Sequence, residues 1–320
     1  MKNNQTKEII PGIHHITAIT NSANVNLKFY TEALGLRLVK KTVNFDDPYT
    51  YHFYYGDEPG TPGTILTFFP WENMPPGKQG AGQVTGIAFL IPQHAIDFWK
   101  SRLEELRLSF ETEKRFDEEV VRFADPHGLS LELVETKRLP DIRPWDRSTI
   151  PPQYSIRGFH SATATLNSVT ESAMLLTDTL GMQKVASAEK RTRFQMATGV
   201  GSGVYYDIVE NPDVPGGRMG SGTVHHIAFR ARNDTEQKRW QKIIAARGLN
   251  VTPIIHRKYF RSIYFRESGG VLFEIATDPP GFLIDEDISK LGEKLMLPDC
   301  YESRRQEIEK RLPDLDAAVA

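Results

Sequence analysis

Several things that would settle the class of this protein at once are scarce in its sequence. There is a single cysteine, Cys300, in 320 residues. No disulfide can form within the chain, and a protein of this size without disulfides suits a reducing cytoplasm. Neither charge is in excess: 39 Lys and Arg stand against 41 Asp and Glu, a net charge of −2. That balance argues against nucleic acid or an anionic membrane as the main partner, since both select a basic face. Long apolar runs are missing too. Nothing approaches the roughly 18–20 apolar residues needed to span a bilayer, and the opening MKNNQTKEII lacks the apolar stretch of a signal peptide. The expectation is a soluble, cytoplasmic protein. Its composition, 39% hydrophobic and 25% charged, is ordinary for a globular chain, and its length allows two domains with buried cores.

What the sequence does have is self-similarity. Four segments share one order of events, opening with GIHHITAIT, VTGIAFLIP, GFHSATATL and GTVHHIAFRA. A helical stretch follows each opening, with Phe98, Leu103 and Leu106 in the second segment and Trp240, Ile243 and Ile244 in the fourth at helical spacing. Gly35, Gly181 and Gly248 sit where helix C-caps belong. Runs of β-branched and aromatic residues then close each segment, in GTILTFFP, GLSLELVE, GVYYDIVE and GVLFEIAT. The pattern is βαβββ four times, an α+β architecture with a period of roughly 65–75 residues, too long for a solenoid. A first pair of units is expected over 1–140 and a second over 156–284. The proline- and charge-rich stretch 141–155 reads as a linker, and 285–320 as a charged helical tail.

Four such units, with HHI openings and an LFE closing, resemble the vicinal oxygen chelate superfamily, also called the glyoxalase/bleomycin-resistance/dioxygenase fold. The resemblance covers residues 12–282. It implies that paired units curl into a sheet that cups a metal, with ligands on the opening and closing strands. In register, the second position of the openings reads His15, Gly86, Ser161 and His226, and the closing positions read Thr67, Glu132, Asp207 and Glu274. Pairing unit one with two, or three with four, offers one imidazole. Pairing one with four offers His15, His226 and Glu274, with Thr67 in the fourth position, so unit one is expected against unit four and two against three. Neighbouring side chains on a strand face opposite ways, and the alignment does not say which histidine of each pair enters the cup. In ring-cleaving dioxygenases carrying HHI or HHIT the second one binds metal. By that resemblance His15, His226 and Glu274 are the metal ligands, while His14 and His225 become catalytic candidates near the site. Thr17, two residues beyond His15, shares its face and is a further candidate. His127, in a DPHG turn, reads as structural, and His52, His94 and His160 show no partner pattern and read the same way.

Two imidazoles and one carboxylate leave coordination positions open, the pattern of non-haem Fe(II) oxygenases. Fe(II) is the expected cofactor, with Mn(II) the other metal this set accepts. Glyoxalase I sites fill the fourth position with a carboxylate, whereas Thr67 is a poor ligand. That favours chelation of a phenolic substrate together with O2. Within the superfamily the motifs LGLRLVKKTVNFDDP, YHFYYGDEPGTPG and LFEIATDPPGF look like those of hydroquinone ring-cleaving dioxygenases. That resemblance adds Arg257 and Tyr264 as catalytic candidates: an arginine to hold a ring oxygen by charge-assisted hydrogen bonding, a tyrosine to move protons. Phe68, Phe69, Trp71, Tyr259 and Phe260 are candidates to wall a pocket for a flat ring, although aromatics in strands are more often core. The expected activity is extradiol-type cleavage of a hydroquinone or catechol. A metal-dependent thiol transferase or glyoxalase-like isomerase is the alternative, and a homo-oligomer is left open.

Overall fold

A computed structural model of the chain describes residues 8–196 and 201–316. The first unit contributes strands β1 (Ile13–Thr20), β2 (Arg37–Asn44), β3 (Asp47–Gly56) and β4 (Ile65–Pro70). The second contributes β5 (Gln83–Pro92), β6 (Phe110–Arg115), β7 (Glu118–Ala124) and β8 (Ser130–Thr136). In the third lie β9 (Phe159–Leu166), β10 (Gln183–Ala188), β11 (Arg191–Gln195) and β12 (Tyr205–Glu210). The fourth holds β13 (Thr223–Ala231), the two-residue β14 (Ile255–His256), β15 (Arg261–Arg266) and β16 (Leu272–Thr277). Each unit has its helix after the opening strand: α1 (Ala23–Lys28), α2 (Ile96–Glu105), α3 (Thr170–Met174) and α4 (Asp234–Ala246).

The strands form two eight-stranded sheets. One runs β14-β15-β16-β13-β1-β4-β3-β2 and the other β10-β11-β12-β9-β5-β8-β7-β6. Unit one therefore joins unit four, and unit two joins unit three, as the ligand count requires. The joins are antiparallel, β1 to β13 and β5 to β9. Within each unit the opening strand lies parallel to the closing one.

Each join is interrupted at the same two places. The β1–β13 register skips His14 and His225, and the β5–β9 register skips Thr85 and His160. An extra residue in one strand of an antiparallel pair is a β-bulge, which bends the strand and re-aims a side chain. The four bulges fall on the first residue of the four aligned dipeptides.

The helices bury one face each. In α2 that face is Ile96, Trp99 and Leu103, while Phe98 is half-buried and Leu106, beyond the helix end, is 41% exposed. The periodicity is as expected, but Trp99, the larger ring, takes the core position assigned above to Phe98. In α4, Trp240 and Ile244 are buried. The three C-cap glycines have φ of +68°, +74° and +78°, the left-handed conformation that lets a helix end without a steric penalty. One apolar cluster runs through both sheets and the helices.

Residues 137–158 carry no helix or strand. The tail forms short 3-10 turns and then α5 (Arg305–Arg311). It lies over the outer strand β2, with Leu295 bridging to Lys41. Buried Lys40 is paired with Asp285 and Glu286, and Arg37 donates to the Ile288 carbonyl. Gly292 passes so close to the Leu38 carbonyl that a Cβ would stand 1.9 Å from it. Covering an edge strand in this way removes a template for pairing with another chain.

Candidate metal centre and cavity

The register of the closing strands fixes which residues are equivalent. Thr17 pairs with Thr67, Ala88 with Glu132, Thr163 with Asp207 and Ala228 with Glu274. In every unit the closing residue faces the position two beyond the second residue of the opening dipeptide. The two sheets therefore present two sets of four equivalent positions: His15, Thr67, His226 and Glu274 in one, Gly86, Glu132, Ser161 and Asp207 in the other.

In the first set three donors converge. His226 Nε2 lies 2.9 Å from Glu274 Oε2, His15 Nε2 lies 3.3 Å from the same oxygen, and the two Nε2 atoms are 3.4 Å apart. All three side chains are buried. Glu274 Oε1 accepts from the Ser262 hydroxyl, but Oε2 has no hydrogen-bonding partner. A buried carboxylate oxygen left bare beside two imidazole nitrogens is costly unless a cation completes it. The donor set, two nitrogens and one oxygen, is one that Zn, Fe and Mn sites use.

The rings are held from behind. His15 Nδ1 lies 2.9 Å from His14 Nδ1, and His226 Nδ1 lies 2.7 Å from His225 Nδ1. This duplication uses the bulges: without them adjacent imidazoles would point to opposite faces. A proton on each Nδ1 leaves Nε2 bare for a metal, the outer-shell arrangement that fixes tautomer and ring orientation. Ionisation suits the same purpose. Burial, helped by His226, pushes His225 down to about 3. Burial likewise lowers His226 against the opposing pull of Glu274. Burial works against an ionised Glu274, but His15 and His226 outweigh it and hold the carboxyl well below the usual range.

A cavity of about 360 Å³ opens on this centre. His15, Thr17, His225, His226, Arg257 and Tyr264 face it, together with His52 and Tyr54. Of the five aromatics considered, Phe69, Trp71 and Phe260 line it, while Phe68 and Tyr259 are buried in apolar clusters. His14 stands outside the wall, packed against His15 and Phe260 with ring centroids 5.1 and 5.2 Å away. Arg257 donates to Asp46 at 3.0 Å and lies over the Tyr264 ring. Burial disfavours its charge, but Tyr264 and Asp46 outweigh that and raise its pKa. Burial and the nearby Glu274 push the Tyr264 hydroxyl above its usual range, so it stays a phenol.

Sequence reading missed His52. It lies two residues from Tyr54, which faces Thr67 across the β3–β4 pair. Its Nε2 is 2.9 Å from Thr67 Oγ1, and its Nδ1 is 2.9 Å from the Tyr54 hydroxyl. The alternation of YHFYY, with His52 and Tyr54 on one face, was the available signal.

The chain matches the sequence profile of the Glyoxalase/Bleomycin resistance protein/Dioxygenase superfamily over residues 12–133 and 158–285. It belongs to that superfamily. Relatives include MhqO of Bacillus subtilis strain 168, a candidate ring-cleaving dioxygenase, 47% identical over 301 residues, 94% of this chain and 95% of the relative. A chlorohydroquinone/hydroquinone 1,2-dioxygenase of Sphingobium indicum is 33% identical over 318 residues, 97% of this chain and 98% of the relative. Among solved structures, a candidate dioxygenase from Bacillus subtilis superposes with a TM-score of 0.93 at 45% identity, covering 97% of this chain and 98% of that one. Glyoxalase I from Zea mays shares the fold, with a TM-score of 0.64 at 12% identity over 83% of this chain and 92% of that one. Among the described residues no helix is long and apolar enough to cross a membrane.

Proposed function

We propose that this protein is a non-haem Fe(II)-dependent, extradiol-type dioxygenase that opens a hydroquinone- or catechol-type ring beside a hydroxyl. The observation that carries the reading is the fourth position of the cup. Thr67 stands where a fourth ligand would, and its hydroxyl is engaged by His52 and Thr17 instead. Three protein donors with open positions toward an aromatic-walled cavity suit a site where substrate and O2 meet on one metal. The relatives named for ring cleavage support the same reading.

His15, His226 and Glu274 would hold the ion. When bound, Fe(II) supplies one-electron exchange with O2 and polarises a phenolic oxygen. The protein supplies the rest. Phe69, Trp71 and Phe260 present apolar walls to a flat ring. Arg257 offers a fixed positive charge to a ring oxygen or a developing anion. Tyr264 offers a phenolic proton, and neutral His225, on the cavity wall, takes up or returns one. The cost of aligning these groups is met during folding.

Protein purified without oxygen and loaded with Fe(II) should consume one O2 per ring opened when given hydroquinones or catechols, and be inert toward thiol adduct formation under nitrogen. Iron-containing protein that takes up no O2 with any member of such a panel overturns the proposal. Thiol-dependent turnover with Mn(II) under nitrogen would replace it with the transferase alternative.

A further inference from the structure

The cavity wall contains a chain of hydrogen bonds whose direction follows from its Thr67–Thr17 contact and from counting protons. Thr67 donates its hydroxyl to Thr17 Oγ1 at 2.9 Å. A hydroxyl has one proton to give, so Thr67 must accept at its contact with His52 Nε2. His52 therefore carries its proton on Nε2, and its Nδ1 is bare. A bare Nδ1 accepts, so the Tyr54 hydroxyl 2.9 Å away is the donor. Thr17 has then spent a lone pair rather than its proton. Its hydroxyl, on the cavity wall, is left with a hydrogen to give.

We infer that Tyr54, His52, Thr67 and Thr17 form a one-way hydrogen-bond wire that makes Thr17 a donor to an oxygen of the bound aromatic. The inference rests on the dioxygenase reading for the identity of that ligand. It explains why the fourth ligand position holds a threonine. A carboxylate there could only accept and would bind the ion. An apolar residue would leave His52 with an unused buried donor. A threonine relays polarity from one strand to the next. His52 and Tyr54 are positioning residues, and Thr17 is the group that touches substrate. The chemistry favoured is a ring oxygen rich in electrons, a phenolate or a quinone-like carbonyl, because the proton left on Thr17 pairs best with a strong acceptor. A methyl ether at that oxygen crowds the contact and weakens acceptance, so an O-methylated ring is disfavoured.

The wire also cooperates with its surroundings. The rings of His52 and Phe69 pack with centroids 4.4 Å apart, and those of His52 and Tyr54 at 4.1 Å. The imidazole thus packs against two rings of the cavity lining, and its orientation does not depend on its hydrogen bonds alone. Neighbouring hydrogen bonds in a chain of this kind polarise one another in a low-dielectric setting.

Two measurements test this. The first uses metal-free protein labelled with ¹⁵N in histidine, with His52 assigned by its loss in His52→Gln. The nitrogen shifts should show the Nε2–H tautomer; an Nδ1–H ring overturns the wire, because its direction would be reversed. The second uses protein loaded with Mn(II) under nitrogen and titrated with hydroquinone. His52→Phe should weaken binding about tenfold, the scale of one hydrogen bond to a strongly accepting oxygen, with metal content unchanged. His52→Gln, whose amide N–H reaches the Thr67 hydroxyl, should restore most of it. Thr17→Val should show the same loss and Thr17→Ser the same rescue. Wild-type affinity in metal-replete His52→Phe overturns the inference. The tautomer is read without metal or substrate, so an Nε2–H ring in a protein that binds no hydroquinone or catechol overturns the dioxygenase reading and leaves the direction of the wire standing.

Discussion

The two cups of this molecule are built on one backbone and hold opposite chemistry. Both have antiparallel joins with bulges at the first residue of each opening dipeptide, and both place closing residues in the same register. In the first cup the positions hold His15, His226, Glu274 and Thr67. In the second they hold Ser161, Gly86, Glu132 and Asp207. The second cup has lost its imidazoles but keeps two buried acidic groups, and arginines neutralise them. Arg115 grips Glu132 through both oxygens at 2.7 and 2.8 Å. Asp207 is held by Arg193 at 2.9 Å and Arg191 at 3.1 Å. Arg193 faces Asp207 as Tyr54 faces Thr67, and Arg191 stands two residues from it, as His52 does from Tyr54. Even the histidine pairing survives in outline: His160 Nδ1 reaches the Ser161 hydroxyl at 3.0 Å, where His14 reaches His15 in the first cup. A buried carboxylate demands a cation. On the proposed reading one cup leaves that demand to a diffusible ion, whereas the other meets it with side chains.

The comparison breaks most sharply on removal of one carboxylate from each cup. Glu274→Ala should reduce metal affinity by more than the ~100-fold that loss of a supporting outer group costs. Asp207→Ala should leave metal content at the wild-type level and instead destabilise the fold by about 3–5 kcal/mol, because two guanidinium groups lose a buried partner. Metal analysis and denaturant unfolding of both variants, each with and without chelator, separate the outcomes. Equal loss of metal from both would show that the second cup is no mere support.

This division of labour was half legible in the sequence. Repeating dipeptides and closing strands put Thr67, Glu132, Asp207 and Glu274 in register, because a repeat carries its side-chain period with it. The pairing of unit one with unit four followed from counting imidazoles. The bulges were not legible, since a bulge depends on the partner strand. Strand alternation alone gave no way to place His14 and His225 behind the two rings. His52 escaped for a related reason: its role is set across β3 and β4, and the matching position in unit four is Ser262, which shares no residue type with it. The arginines of the second cup gave no repeat signal either, because Arg115 comes from β6 while Arg191 and Arg193 come from β11.

Acid should probe the charge cluster of the second cup next, with a smaller effect. Burial pushes Glu118 up, but the hydrogen bond to His160 and the charge of Arg193 outweigh it and hold its carboxyl at about 2. Burial opposes ionisation of Glu132 too, and Arg115 outweighs that in the same direction. A carboxyl depressed in the folded state stabilises fully above its unfolded value, about 4.3, and that stabilisation is lost as the pH falls toward 2. Metal-free protein should lose denaturant resistance across that window, and Glu118→Gln should flatten the decline. An unchanged slope in Glu118→Gln would remove this cluster from the acid response.

The smallest effect is expected from the most direct attempt to turn one cup into the other. Gly86→His with Ser161→His restores both imidazoles. The backbone at Gly86 accepts a side chain, since a Cβ there meets Thr163 Cβ at 3.5 Å, an ordinary contact. Even so, metal content should stay at one ion per chain. Glu132 and Asp207 already spend their charge on three guanidinium groups, and an incoming divalent ion would meet that fixed positive charge without a free carboxylate to offset it. On that outcome occupied charge, and not ligand identity, keeps an ion out of the second cup. Adding Arg115→Leu and Arg193→Tyr to the double variant tests this, because it frees Glu132 and gives position 193 the residue type found at Tyr54. A second equivalent of ion should bind only in the quadruple variant. A second equivalent in the double variant would show that the arginines are bystanders and that the missing imidazoles alone separate the two cups.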